Sequence, residues 1–177
     1  MSVPIDQAKV AAFLATAAAA TSKKAQGDAF EDLIVYVFEL VPGLGCTARN
    51  KKNALQTEEV DVVFWNDKEV AGMPHFPNII LVECKHWSGK VGAMHVSWFA
   101  KKMENKGVEL GILFALNGIA GDPDEHTAAY KEVEDIQSKG RRLLILTATE
   151  VQACPTTDDV VKLLKQKICN QVAGSLN

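Results

Sequence analysis

Apolar residues recur along this 177-residue chain with two periods, about 3.6 and 2, and the switches between them mark out its elements. Over residues 28–41 the positions Phe30, Leu33, Ile34, Val37, Phe38 and Val41 follow i, i+3, i+4, i+7 spacing. That spacing predicts a helix with one buried face, and Pro42-Gly43 ends it. An earlier helix is expected over residues 4–20 (Val10, Phe13, Leu14, Ala17), with residues 21–27 as a small polar joint. Residues 44–55 carry little pattern beyond a short strand at 45–48, and the basic run 49–52 reads as a loop or hairpin tip. Thr57 to Trp65 is rich in β-branched and aromatic residues, so a strand is expected over 59–65, and a second over 78–85.

The second half alternates. A helix within residues 89–106 turns Val96, Phe99 and Met103 inward and Lys101, Lys102 and Lys106 outward. Residues 110–116 are continuously apolar, as in a strand covered on both faces. Asp122-Pro123-Asp124 opens a helix to about residue 139, Gly140 stops it, and 143–147 is another buried strand. A last helix over 158–172 faces inward with Val160, Val161, Leu164 and Ile168. Meandering strands followed by strand–helix–strand units make an α/β fold, a central mixed β-sheet flanked by helices.

Composition narrows the function classes. The length suits one domain with a real core. No apolar run approaches the ~20 residues that cross a bilayer, so no membrane association is expected. The start of the chain lacks the cationic segment of a secretory signal. Cys46, Cys84, Cys154 and Cys169 are scattered, which argues against a zinc site and a disulfide framework; a cytoplasmic protein is the default. The net charge of −3 is unlike that of a protein that coats DNA, so any nucleic-acid contact needs a local basic track. Its candidates are Arg49, Lys51, Lys52, Lys85, Lys90, Lys101, Lys102, Lys106, Arg141 and Arg142.

The strand at 78–85 ends in chemistry. Its apolar run Ile79 to Val82 gives way to Glu83-Cys84-Lys85. Strand side chains alternate faces, so Glu83 and Lys85 point the same way, roughly 7 Å apart along the backbone, while Ile80, Val82 and Cys84 face a core. Asp61 lies early in the preceding strand. If the two strands are antiparallel neighbours, the start of one lies beside the end of the other and Asp61 meets Glu83. Hard divalent cations take oxygens from one or two carboxylates and leave the rest to water and substrate phosphate. The other reading of Glu83 and Lys85 is an ordinary ion pair at a strand end.

The pattern Asp61-x21-Glu83-x-Lys85 resembles the core of the PD-(D/E)XK nuclease superfamily, and within it the Mrr-like, type IV restriction branch. Gly27-Asp28-Ala29-Phe30-Glu31 resembles the start of that family's first core helix, and Lys85-His86-Trp87-Ser88-Gly89-Lys90-Val91 its loop after the lysine. Val60 stands where a proline often precedes the first acid, and Glu83 where many Mrr-like members carry Gln. The resemblance implies a restriction-endonuclease-like core that hydrolyses DNA phosphodiester bonds with Mg2+ or Mn2+, in restriction or anti-phage defence. It implies Asp61, Glu83 and the Cys84 carbonyl as metal ligands, Lys85 at the attacking water and phosphate, and Glu31 in support. Residues 27–177 would form the nuclease domain with its C-terminal helix, and residues 1–26 a helical arm. A homodimer or larger assembly is expected, because cutting both strands usually takes two active sites, and a regulatory protein partner is a further expectation. Two alternatives stay open: a non-catalytic nucleic-acid-binding or assembly module of this fold, and a junction-specific or RNA nuclease.

Other residues point nowhere as firmly. His86 is expected to pack in its loop and His95 to ride the following helix; His75 and His126 fall in loops. Trp87 and Trp98 are expected to close an edge of the core, with base stacking as the other possibility. Ser88 has no histidine–acid constellation around it, and no Gly-Lys-Ser/Thr follows the glycines at 118 and 121, so a serine hydrolase and a Walker loop are excluded.

Overall fold

The fold is taken from a computed structural model that describes residues 2–52, 59–123 and 127–175. Eleven elements follow in order: α1 (Gln7–Ala19), α2 (Lys23–Glu39), β1 (Leu44–Lys52), β2 (Glu59–Asn66), β3 (Ile79–Lys85), α3 (Ala93–Asn105), β4 (Leu110–Ala115), α4 (Ala129–Ser138), β5 (Arg142–Thr147), α5 (Ala148–Gln152) and α6 (Thr157–Val172). The five strands form one sheet in the order β1-β2-β3-β4-β5. The first three make an antiparallel meander, and β3, β4 and β5 run parallel. This is the mixed sheet the sequence predicts.

Each sheet face carries its own core. On one side Phe30, Leu33, Ile34, Val37 and Phe38 of α2 pack with α6 (Val160, Val161, Leu164) on Val62, Phe64, Ile80, Val82 and Phe114. On the other, Val96, Phe99 and Met103 of α3 and Val133 and Ile136 of α4 pack on Val60, Leu81, Leu113 and Leu143. All six residues of β4 are buried, as its unbroken apolar run requires. Gly111 in that strand lets α3 lie close, since a Cβ there would sit 2.3 Å from Met103 Sδ. The close approach fixes the height of α3 above the sheet and therefore of the side chains on its flank.

Several boundaries differ from the sequence expectation. The polar joint at 21–27 is helix from Lys23 onward, because Ser22 caps α2 by accepting from the Ala25 amide. Lys-Lys-Ala-Gln are sound helix formers without an apolar stripe, so periodicity alone does not mark them. Helix α1 starts at Gln7, where Asp6 accepts from the Ala8 and Lys9 amides. The basic run 49–52 is strand: β1 stays paired with β2 through Lys51↔Val60 and Lys52↔Glu59. The helix expected from residue 122 is described as α4 from Ala129, and ahead of it Asp122 N donates to Thr127 Oγ1. Short α5 was not expected; Thr147 and Glu150 form a capping box that starts it directly at the end of β5. Thr57, Glu58, Asp124 and His126 lie outside the described residues.

Candidate metal and nucleic-acid site

The register of β2 on β3 pairs Val62 with Val82 and Val63 with Leu81. One step further along each strand stand Asp61 and Glu83, on the face opposite the α2 core. The Cys84 amide donates to Asp61 Oδ2 at 2.8 Å, which pins the first acid to the end of β3. Glu83 is 8% exposed. Lys85 Nζ lies 2.7 Å from its Oε1 and Lys102 Nζ 2.5 Å from its Oε2. Each oxygen of that carboxylate therefore meets an ammonium. Lys85 faces the cleft beside Glu83 and not the core, as alternation along β3 predicts.

Glu31 joins from α2. It is 6% exposed, accepts from Asn50 Nδ2 at 3.0 Å and pairs with Arg49 Nη2 at 3.5 Å. Its carboxyl group is pushed up to about 7, first by burial and then by the charge of Asp61. Asp61 is itself pushed up to about 6, first by burial and then by Glu83, with the Cys84 amide pulling the other way. At Lys85 burial favours the neutral form, but Glu83 outweighs it and holds the ammonium above its ordinary value. Burial pushes the Cys84 thiol well up, so that side chain is a neutral thiol and not a thiolate. The charge of Asp61 raises Glu31 and that of Glu83 raises Asp61, so the acids act on one another even with Arg49, Lys85 and Lys102 beside them. Asp61 and Glu83 offer hard oxygen donors of the kind a divalent cation takes.

Among the described residues no three His, Cys, Asp or Glu side chains converge closely enough to cage an ion. What converges is a pair of carboxylates, which suits a cation that keeps most of its sites for water and phosphate. A cleft of about 500 Å3 opens over Asp61, Glu83, Lys85 and Lys102, with Trp87, His95 and Trp98 along its wall.

The basic track needs correction. Lys102, expected outward, reaches into the site. It stands three residues after buried Phe99, a spacing that places it on the sheet side of α3, and its long stem carries the charge to Glu83. Arg49 is engaged by Glu31 and by Asp32 at 2.8 Å, so it orders the acids instead of standing free for phosphate. Lys51, Lys90 and Lys101 are exposed, Lys101 in a surface pair with Glu104. The side chain of Lys52 lies outside the described set. Arg141 and Arg142 belong to the other end of the sheet, because Arg142 pairs with Leu110 at the start of the parallel strands whereas Lys85 ends them. The tryptophans also depart from expectation. They do not close the core: Trp98 is 62% exposed and Trp87 38%. His86 packs its ring against Phe30, as a loop-packing histidine should. Asn50 is the site residue that the sequence pattern did not bring forward, and Lys102, a candidate for phosphate in the basic track, meets Glu83 instead.

Comparison with known proteins places the chain in a family. The family model described as Restriction endonuclease (Mrr_cat) matches residues 22–145, a span from the cap of α2 into β5 that contains Glu31, Asp61, Glu83, Lys85 and Lys102. No curated protein matches the chain.

Proposed function

The chain belongs to the restriction endonuclease family of the Mrr catalytic type, and from that premise we propose that it is a Mg2+- or Mn2+-dependent endonuclease that hydrolyses DNA phosphodiester bonds in restriction or anti-phage defence. The observation that carries the proposal is the meeting of Asp61 with the Cys84 amide beside a Glu83 gripped by Lys85 and Lys102.

Asp61, Glu83 and the Cys84 carbonyl would hold the cation, hard oxygen donors for a hard ion. Bound there, it supplies positive charge beside the phosphate and makes water easier to deprotonate. The chain's own groups do the rest. Asp61 and Glu83 set where the phosphate sits relative to the end of β3. Lys85 and Lys102 would meet the phosphate oxygens and neutralise the charge that grows on them as the water attacks. Lys85, at the strand end, also orients the water. Glu31, with Asn50 and Arg49 holding its carboxyl, would support the site, its own ionisation opposed by the charge of Asp61. Two copies of the chain would act together, one site for each strand, under control of a regulatory partner.

One observation favours a second reading. Both oxygens of Glu83 already have a lysine, as in a site that serves only as a structural ion cluster in a non-catalytic binding module. Incubation with plasmid, single strand, four-way junction and RNA, each with Mg2+ and with EDTA, separates the two. Metal-dependent products on plasmid support the endonuclease; products only from junction or RNA redirect the substrate; none on any substrate leaves the binding module.

A further inference from the structure

We propose that Trp87, His95 and Trp98 form a stacking site for one unpaired nucleobase of the strand whose phosphate enters the cleft. The proposal takes its polymer from the nuclease reading and adds a contact to it.

Three observations converge. Large apolar rings on a protein surface cost free energy in water and, grouped beside a cleft, mark a place where something binds. Both indoles here are substantially open to solvent, and both border the cleft. Second, the rings are held in place without being covered. The His95 imidazole stands 4.6 Å from the Trp87 ring at 82° and 5.3 Å from the Trp98 ring at 83°. An edge-on histidine between two indoles restrains both, so a base that stacks there pays little to order them. Third, the wall joins the charged groups at both ends. His95, Trp98 and Lys102 follow i, i+3, i+7 on one flank of α3, and Trp98 and Lys102 are about 6 Å apart along the helix axis. Lys85 Nζ lies 5.8 Å from the Trp87 ring centroid. Rings on one side and ammonium groups on the other match a nucleotide, whose apolar face and anionic phosphate lie on opposite sides of its sugar.

The base must be unpaired. Inside a duplex both faces of every base are covered by its neighbours, and an aromatic wall reaches them only where a strand is single or a base is turned out. Stacking of this kind is tolerant of sequence, since every base has a π-face.

The test is a titration of intrinsic tryptophan fluorescence in calcium buffer with a single-stranded thymine oligomer, a duplex of equal length and an oligomer of abasic sugar-phosphate units. The thymine oligomer should bind roughly tenfold or more tightly than the abasic one. Trp98→Ala should erase that difference without altering duplex binding, and Trp98→Phe should restore much of it. Trp87→Ala provides a second variant, with melting by circular dichroism as the check on folding. Equal affinity for thymine and abasic oligomers would overturn the proposal. So would a Trp98→Ala protein that sediments differently yet still prefers the thymine oligomer, which would make the wall a contact between copies. Cleavage of plasmid, single strand, four-way junction and RNA in Mg2+ is scored apart: base-dependent binding with no product from any of them removes the nuclease reading and keeps the stacking site, and cleavage without base preference does the reverse.

Discussion

Cys84 and Asp61 are joined across two strands: the amide of one donates to Oδ2 of the other at 2.8 Å. The bond explains why Asp61 belongs at the start of β2. A carboxylate at that register is the nearest group on β2 to the main chain that follows Glu83, so the two acids are brought together by backbone pairing and not by side-chain chance.

Asp61→Asn therefore separates structure from chemistry. The amide oxygen can still accept from Cys84, but the charge is gone. Cleavage should fall by about a hundredfold or more, while the metal-free protein melts no lower than wild type at pH 8, because a repelled carboxylate has been removed. Plasmid cleavage rates and thermal melts of the same preparation check both halves.

Lys102 should matter for turnover although it lies 19 residues from Glu83 in sequence. Lys102→Met keeps the packing of the stem and removes the ammonium. Cleavage should drop by about tenfold, and Lys85→Met should cost more, since Lys85 also places the water. Steady-state rates at saturating plasmid read the difference; a Lys102→Met enzyme with wild-type turnover would return that lysine to a structural role.

The fold and two of the acids were legible in the sequence for definite reasons. The period-2 alternation in 79–85 put Glu83 and Lys85 on one face, and an antiparallel meander then required Asp61 to meet Glu83. Glu31 stood one residue off the apolar stripe of α2, and it is there that it reaches the site. The rest depends on tertiary context. Arg49 and Asn50 sit in strand because β2 supplies a hydrogen-bonding ladder, which a polar run does not announce by itself. Lys102 carried a signal in its spacing from Phe99, but a lysine on a helix is ordinarily solvated, and only the opposing Glu83 draws it in. Indoles usually pack in cores, but Trp98 stands on α3 beside buried Phe99 and Trp87 follows the end of β3, and both rings border the cleft.

The raised acids fix the sign of the pH response. Asp61 sits at about 6 against an ordinary 3.8, and Glu31 at about 7 against 4.5. The native state binds these protons more tightly than the unfolded chain. Their contribution to stability is thus fully present below about pH 4 and lost as pH rises through 6 to 7. A cation binds the ionised acids, so Mg2+ should raise the melting temperature more at pH 8 than at pH 5. An equal shift at both pH values, by scanning fluorimetry, would contradict the assignment of these carboxylates to the metal.

Glu31→Gln isolates the third acid. At pH 5 wild-type Glu31 is protonated, and glutamine, equally neutral, should change stability little. At pH 8 the wild-type carboxylate is ionised, buried and facing Asp61, and glutamine should stabilise the metal-free protein by on the order of 1–3 kcal/mol. Denaturant melts at the two pH values in EDTA measure the difference.

If Asp61 and Glu83 hold a cation beside the phosphodiester that water attacks, cleavage needs both the metal and Glu83. The direct measurement is conversion of supercoiled plasmid to nicked or linear form by wild type in Mg2+, by wild type in EDTA, and by Glu83→Ala in Mg2+. Product in the first reaction and none in the other two is the expected result. Product from Glu83→Ala at the wild-type rate, or from wild type in EDTA, would contradict it.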